Sequence, residues 1–340
     1  MNLPPPSRMG NLLVKIIKIA PNSSLSTDLY PPPSKFEPER DMPDLTGKII
    51  LVTGGNTGIG YHTVKYLLLK NARVYLAARN KTKGEDAIQK LEKETGKQAI
   101  FLQLDLADLR SVRRAATSFL ECESRLDVLF NNGGVMLPPL AEFTAQNQDL
   151  QFGTNVTGHY FLTQLLLPAL SASYEATNVR ARVINTSSSG YKVASPRTGI
   201  DFVSLEGGPE RDAWLSKLST SAAGWRLYGE SKLGNILLSN YLARMHSDVL
   251  VSCALHPGSV RTDLQKTLPS WIQFLLDLSL PPASMGAYTQ LWAGTTAEPE
   301  NINGKYLIPW ARIGQADTIA SSRKLEDQMI LWLKQKVEGF

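Results

Sequence analysis

The stretch KIILVTGGNTGIGYHTVKYLL, residues 48–68, decides the fold. Its first six residues form a short apolar run of strand length, too short for a buried helix. TGGNTGIG (53–60) then sets Gly54, Gly58 and Gly60 in a tight turn, and a helical pattern follows at once. Glycines at such a junction let the backbone approach a pyrophosphate, while the N–H groups and dipole of the helix attract its charge. The unit predicts a phosphate-binding βα turn; a merely structural glycine turn is the bland alternative.

The alternation continues outward. Apolar runs at 72–78, 98–104, 126–132, 181–187, 249–255 and 304–309 are separated by helical patterns, among them 109–124, 146–170, 225–246 and 284–296. Strands separated by helices imply a parallel sheet covered on both faces, with right-handed crossovers. The expected fold is α/β: one doubly wound, Rossmann-type domain over 45–340. Residues 1–44, with PPP at 4–6 and 31–33, read as an extended or disordered extension. Within it, NLLVKIIKI (11–19) gathers Leu12, Leu13, Ile16, Ile17 and Ile19 on one helical face, opposite Lys15 and Lys18. It is too short to span a membrane; it can rest on a membrane surface or pack on the domain itself.

The 340 residues are 43% apolar and 20% charged, with a formal net charge of +5, ordinary values for a chain with a sizeable core. No basic stripe with interleaved aromatics occurs, so nucleic acid is not an expected partner. Cys122 and Cys253 belong to no CxxC or Cys/His cluster, and His62, His159, His246 and His256 show no ligand spacing. Neither a disulfide framework nor a metal site is expected, and a cytoplasmic location fits, peripheral to an internal membrane if 11–19 docks there.

Two local patterns carry chemistry. The second strand ends in LAARNKTK (76–83), with Arg79, Lys81 and Lys83 and no acid. An NAD site would usually place a carboxylate there, whereas cations suit the 2′-phosphate of NADP. Lysines at a helix start also oppose its dipole, which a bound anion would offset. NADP is therefore favoured as cofactor. The second pattern is RLYGESKLGN (226–235), which sets Tyr228 one helical turn ahead of Lys232. At about 4 Å and an effective dielectric of ~20, an ammonium stabilises a phenolate by roughly 4 kcal/mol, about three pKa units. Such a pair could give and take a proton near neutrality. The spacing alone does not decide, because Tyr61–Lys65 and Tyr66–Lys70 repeat it.

Taken in order, these residues resemble the short-chain dehydrogenases/reductases. TGxxxGIG stands at 53–60, LDL at 104–106, NNGG at 131–134, Asn155 in NVTGHYF, INTSSSG at 184–190, Tyr228-x-x-x-Lys232, and HPGSVRT at 256–262. YLAARN, SKLGN and the long gap between the serines and Tyr228 are similar to the retinol-dehydrogenase-like branch, and the PDLTGK lead-in to its fungal members. The resemblance singles out Tyr228–Lys232 as the pair in the catalytic place. It implies hydride transfer between a nicotinamide and a carbon bearing oxygen, with Tyr228 exchanging the proton. Lys232 would lower the phenol's pKa and bond the ribose, Ser188 rather than Ser187 would bond the substrate oxygen, and Asn155 would hold a relay water. Beyond the glycine turn with Ile59, it implies cofactor contacts at Asp105, Asn131, Val260 and Thr262, beside Arg79 and Lys83. One departure is Gly134, where the family's motif carries alanine.

The resemblance also places a substrate lid at about 263–283, where QKTLPSWIQFLLDLSLPP (265–282) is rich in apolar bulk, including Trp271 and Phe274. No Arg or Lys occurs from 267 to 282 to pair a charged substrate. The expectation is an NADP(H)-dependent enzyme that interconverts an alcohol with a ketone or aldehyde on a lipophilic molecule, in secondary metabolism. The alternative is a non-catalytic NADP-binding regulatory module, which would be expected to lack Ser188, Tyr228 or Lys232. The sequence is compatible with a homo-oligomer and does not fix one.

Overall fold

The computed structural model describes residues 31–194, 198–260 and 280–340. The 11–19 stretch, Thr262 and residues 263–279 of the expected lid lie outside them.

Strand β1 (Ile49–Thr53) shows why the sheet is buried on both faces: Ile50 and Val52 enter one apolar cluster, and Leu51 between them enters the other. Successive side chains of a strand point to opposite faces, so a continuous apolar run needs cover on both. β1 pairs in parallel with β2 (Arg73–Ala78) and β4 (Val128–Asn131), and β3 (Ile100–Gln103) lies outside β2. β5 (Ala181–Thr186), β6 (Leu250–Leu255) and β7 (Tyr306–Ile308) extend the other side. A two-residue antiparallel strand, β8 (Arg312–Ile313), ends the order β3-β2-β1-β4-β5-β6-β7-β8. All seven expected strands form, within a residue or two at their ends; β8 is an addition.

Helices α1 (Gly58–Leu69) and α2 (Lys81–Thr95) cover one face, and α3 (Leu109–Cys122) the other. The helix read at 146–170 begins later, because Asp149 caps it by accepting from the N–H groups of Gln151 and Phe152. It then runs as Leu150–Phe152, a π turn at Gly153–Thr157 and Gly158–Thr177, together α4. α5 (Thr220–Met245) and α7 (Arg323–Val337) complete the α3–α4 face, while α6 (Ala283–Thr295) joins α1 and α2.

The extension is shorter than the sequence suggests. Ser34 bonds the backbone of Phe36, Pro38–Asp41 form one helical turn, and Phe36, Met42 and Leu45 are buried in the α1–α6 cluster. Their apolar side chains find a groove there, so 36–44 are part of the domain's core rather than a free tail.

From β1 the chain steps one way to β2 and β3, and later the other way to β4 and β5. A crevice opens at the carboxyl ends of β1 and β4, where such sheets hold their ligands.

Candidate active site

The glycine turn lies at one wall of that crevice. Gly54 and Gly58 have φ of +65° and +55°, values that L side chains rarely adopt. A Cβ on Gly60 would overlap the Gly54 carbonyl oxygen, and one on Gly54 would stand 2.8 Å from the Gly133 Cα. No side chain caps the first turn of α1, so its N–H groups and dipole remain for an anion. A pyrophosphate fits this cradle. Ile59 packs on Gly286 of α6, where buried Val260 also arrives.

At the end of β2, Arg79 and Lys83 are both exposed, and no bond or ion pair among the described residues holds the Arg79 guanidinium. Asn80 caps α2 by accepting from the Lys83 N–H, and the first turn of α2 contains no acid. Asp105 follows β3 and accepts from the Ala107 N–H at 2.9 Å, shaping the turn that borders the crevice.

Asn131 does not do what the sequence suggests. Its side chain points into the core, donating to Thr163 Oγ1 and to Asn185 Oδ1, and Asn185 donates onward to Ser252. The alternation of β4 turns this residue inward, so its amide braces β4 against β5 and α4. Asn132 and Gly133 form the loop instead, both donating backbone N–H bonds to Thr53 Oγ1, at 2.9 and 2.8 Å. Position 134 has no room for alanine either: a Cβ there would lie 2.9 Å from Asn155 Oδ1. At Gly133 the nearest neighbour would be Leu106, at 3.1 Å.

The candidate acid–base residues lie after β5 and on α5. Residues Gly229–Asn235 of α5 are buried without interruption, which holds the helix rigidly beneath the end of β5. Tyr228 is 7% exposed, and its ring meets Ser188 Oγ at Gly190, whose N–H donates to that oxygen at 3.0 Å. Ser187 is turned away and donates to the Lys232 carbonyl at 2.6 Å. Of the two serines, only Ser188 faces the phenol. Lys232 Nζ donates to the Thr186 carbonyl at 3.0 Å and lies 5.8 Å from the centre of the Tyr228 ring.

The expected effect of the ammonium on the phenol is not what this geometry gives. Burial pushes the Tyr228 pKa up, and only the neighbouring Ser188 hydroxyl acts in the opposite direction. Burial also lowers Lys232 to about 8. The ammonium is spent on a backbone carbonyl rather than on the phenol.

Asn155 lies in the π turn with every side-chain polar group engaged. Oδ1 accepts from the Val135 N–H at 2.8 Å, and Nδ2 donates to the Val135 carbonyl and to Ser231 Oγ, both at 3.0 Å. Its side chain bolts α4 to the β4 loop and α5. Any relay water would therefore have to use its main-chain carbonyl.

A model of the short chain dehydrogenase family matches residues 48–200. A short-chain dehydrogenase/reductase of Armillaria gallica is 48% identical over 318 residues, 93% of this chain and 98% of the relative. The chain belongs to the short-chain dehydrogenase/reductase family. Retinol dehydrogenase 11 of Mus musculus is 36% identical over 77% of this chain and 78% of its own length. A solved protein of Mycobacterium paratuberculosis superposes with a TM-score of 0.68 and 27% identity, covering 90% of this chain and 98% of that one. The NADP complex of Pseudomonas aeruginosa RhlG does so with a TM-score of 0.59 and 25% identity, over 79% and 96% of the two chains.

Sequence reasoning misses several residues of this dehydrogenase/reductase site. Trp225, 43% exposed, meets the Tyr228 ring edge-on with centroids 6.0 Å apart. It precedes Tyr228 by three residues, a spacing that puts both on one helical face and could have marked it. Exposed Val193 reaches α5 at Gly229, and Leu137 reaches it at Gly224. Gln290 of α6 is fully buried; it donates to Thr63 and accepts from Thr186 Oγ1 at 3.0 Å. It links α6 to the residue whose carbonyl holds Lys232. Among the described residues, no helix is long and apolar enough to cross a membrane.

Proposed function

We propose that this protein is an NADP(H)-dependent oxidoreductase that interconverts an alcohol with a ketone or aldehyde on a lipophilic small molecule, in secondary metabolism. The observation that carries the reading is that Ser188 Oγ and the Tyr228 ring meet at Gly190, with Lys232 buried beside them, at the mouth of a crevice whose glycine turn fits a pyrophosphate. Gly54, Gly58, Ile59 and Gly60 would hold the phosphates, with Arg79 and Lys83 facing the 2′-phosphate. Asp105, Val260 and Thr262 would complete the cradle. When bound, the nicotinamide supplies or accepts the hydride.

The residues of this chain manage the proton. Burial keeps the Tyr228 phenol protonated at neutral pH, the form able to donate to a developing alkoxide. Ser188 would stabilise the same oxygen as charge grows on it. Lys232, with a pKa brought near neutrality, can resupply the phenol, and a water held at the Asn155 main-chain carbonyl would link it to solvent. These are the protonation states from which a reduction would start.

Two features support the preference for NADP: the unpaired Arg79, and the absence of an acid in the first turn of α2. Trp225, Val193 and Leu137 near Tyr228 support an apolar substrate, as does the apolar composition of 265–282. The test is NADPH and NADH consumption by the purified full chain over a panel of aldehydes and ketones, from small and charged to long and apolar. NADPH-linked turnover of the apolar members is the expected result. No turnover with any member, despite NADPH binding, would favour a regulatory module.

A further inference from the structure

His159 is 1% exposed and makes two well-formed hydrogen bonds, one to each of the walls it stands between. Its Nδ1 lies 2.9 Å from the Asn155 main-chain oxygen, and its Nε2 lies 2.8 Å from Thr53 Oγ1. A carbonyl oxygen only accepts, so Nδ1 must carry the proton. Burial and the nearby Lys232 ammonium hold the ring neutral, with a pKa of about 4, so Nε2 is an acceptor and Thr53 donates to it. The hydroxyl of Thr53 has one proton and two lone pairs. With the proton directed to His159, both lone pairs face the Asn132 and Gly133 N–H groups.

We propose that His159 is a positioning residue that ties the cofactor turn of β1 to the proton-handling turn of α4, each ring nitrogen fixing one side. The Nε2 arm sets the Thr53 hydroxyl and so the Asn132–Gly133 loop, which stands against Gly54 with no slack. The Nδ1 arm holds the Asn155 carbonyl within the π turn, next to the Val135 and Ser231 contacts that place Asn155 beside α5. Without the imidazole, the Thr53 proton turns to its other acceptor, the Phe130 carbonyl at 3.2 Å, and the lone pairs rotate off the loop. The inference rests on the proposed function for its catalytic arm; its cofactor arm and its tautomer do not depend on turnover.

The two arms can be separated. An Asn side chain places an amide near the Nδ1 position, and a Gln side chain places one near Nε2. His159→Gln therefore keeps the Thr53 arm: NADPH Kd stays within about twofold of wild type, while kcat falls about tenfold or more. His159→Asn keeps the Asn155 arm: kcat is largely retained at saturating cofactor, while NADPH Kd rises about tenfold. His159→Leu loses both, and if it does not fold, the Asn and Gln variants still decide. Equal losses in the Asn and Gln variants, tracking their Tm, would reduce His159 to a packing residue and overturn the proposal. Imidazole ¹⁵N shifts of the wild-type chain give a readout without activity: a neutral ring protonated at Nδ1 is expected, and protonation at Nε2 would overturn it. Turnover that survives Tyr228→Phe would instead sink the proposed function and leave the NADPH-binding and tautomer results standing.

Discussion

Lys232 Nζ donates to the main-chain carbonyl of Thr186 at 3.0 Å, and this bond, not the phenol of Tyr228, is where the buried ammonium spends its charge. Desolvation explains the lowered pKa: a charge with one hydrogen-bonded dipole in an apolar setting costs more than it does in water. Lysine at this position therefore weakens the fold that it serves.

That cost gives a stability test with a definite sign. The folded-state pKa of Lys232, about 8, is below its ordinary 10.5, so between these values the unfolded chain binds more protons and stability rises with pH. Lys232→Met removes the penalty, on the order of 3 kcal/mol at neutral pH. The variant should show a Tm at pH 7 equal to or above wild type, an advantage that shrinks by pH 10, together with loss of turnover and weaker NADPH binding. A lower Tm at pH 7 would mean that the Thr186 bond outweighs desolvation.

The proposed part of Arg79 in the choice of cofactor has a direct test. Arg79→Asp should weaken NADPH binding and relatively favour NADH, because a carboxylate repels the 2′-phosphate and can bond ribose hydroxyls. Unchanged Kd ratios for the two cofactors would move the assignment to Lys83.

Phe36 tests the extension. Phe36→Ser should lower the denaturant midpoint by the equivalent of ~1.5–3 kcal/mol, the value of one buried aromatic. Its kcat and KM, measured well below the transition, should match wild type. A variant as stable as wild type would return 36–44 to the status of a tail.

Much of this was legible before the structure, and the exceptions have physical causes. The seven parallel strands announce themselves as apolar runs, and the glycine turn by its spacing. β8, two residues long, carries no periodic signal. The helix at Arg323–Val337 does carry one, since Leu325, Met329, Ile330 and Leu333 share a face, and the sequence reading overlooked it. Asn131 misleads because a motif marks a position, whereas strand alternation decides which way its amide points. The partner of Lys232 is a backbone carbonyl, which no residue identity reveals. His159, four residues after Asn155 on the same helix, was within reach of the spacing argument.

Trp225, edge-on to the Tyr228 ring, offers a test of the proposed apolar substrate. Trp225→Ala should raise KM for an apolar ketone or aldehyde by several-fold up to roughly tenfold, since a bound apolar substrate would cover the exposed part of this ring. NADPH affinity and the turnover of a small carbonyl compound should barely move. An unchanged KM for every apolar substrate would remove Trp225 from the substrate path and leave the 265–282 segment, with Trp271 and Phe274, to account for the preference.

The most direct measurement is NADPH consumption by Tyr228→Phe beside wild type, with NADPH binding titrated in parallel on both proteins. The ring and its packing are kept and only the proton donor is lost, so turnover should fall at least about a hundredfold with Kd for NADPH nearly unchanged. Substantial turnover in the variant, or loss of NADPH binding while chemistry persists, would contradict the assignment of Tyr228 as the acid–base group.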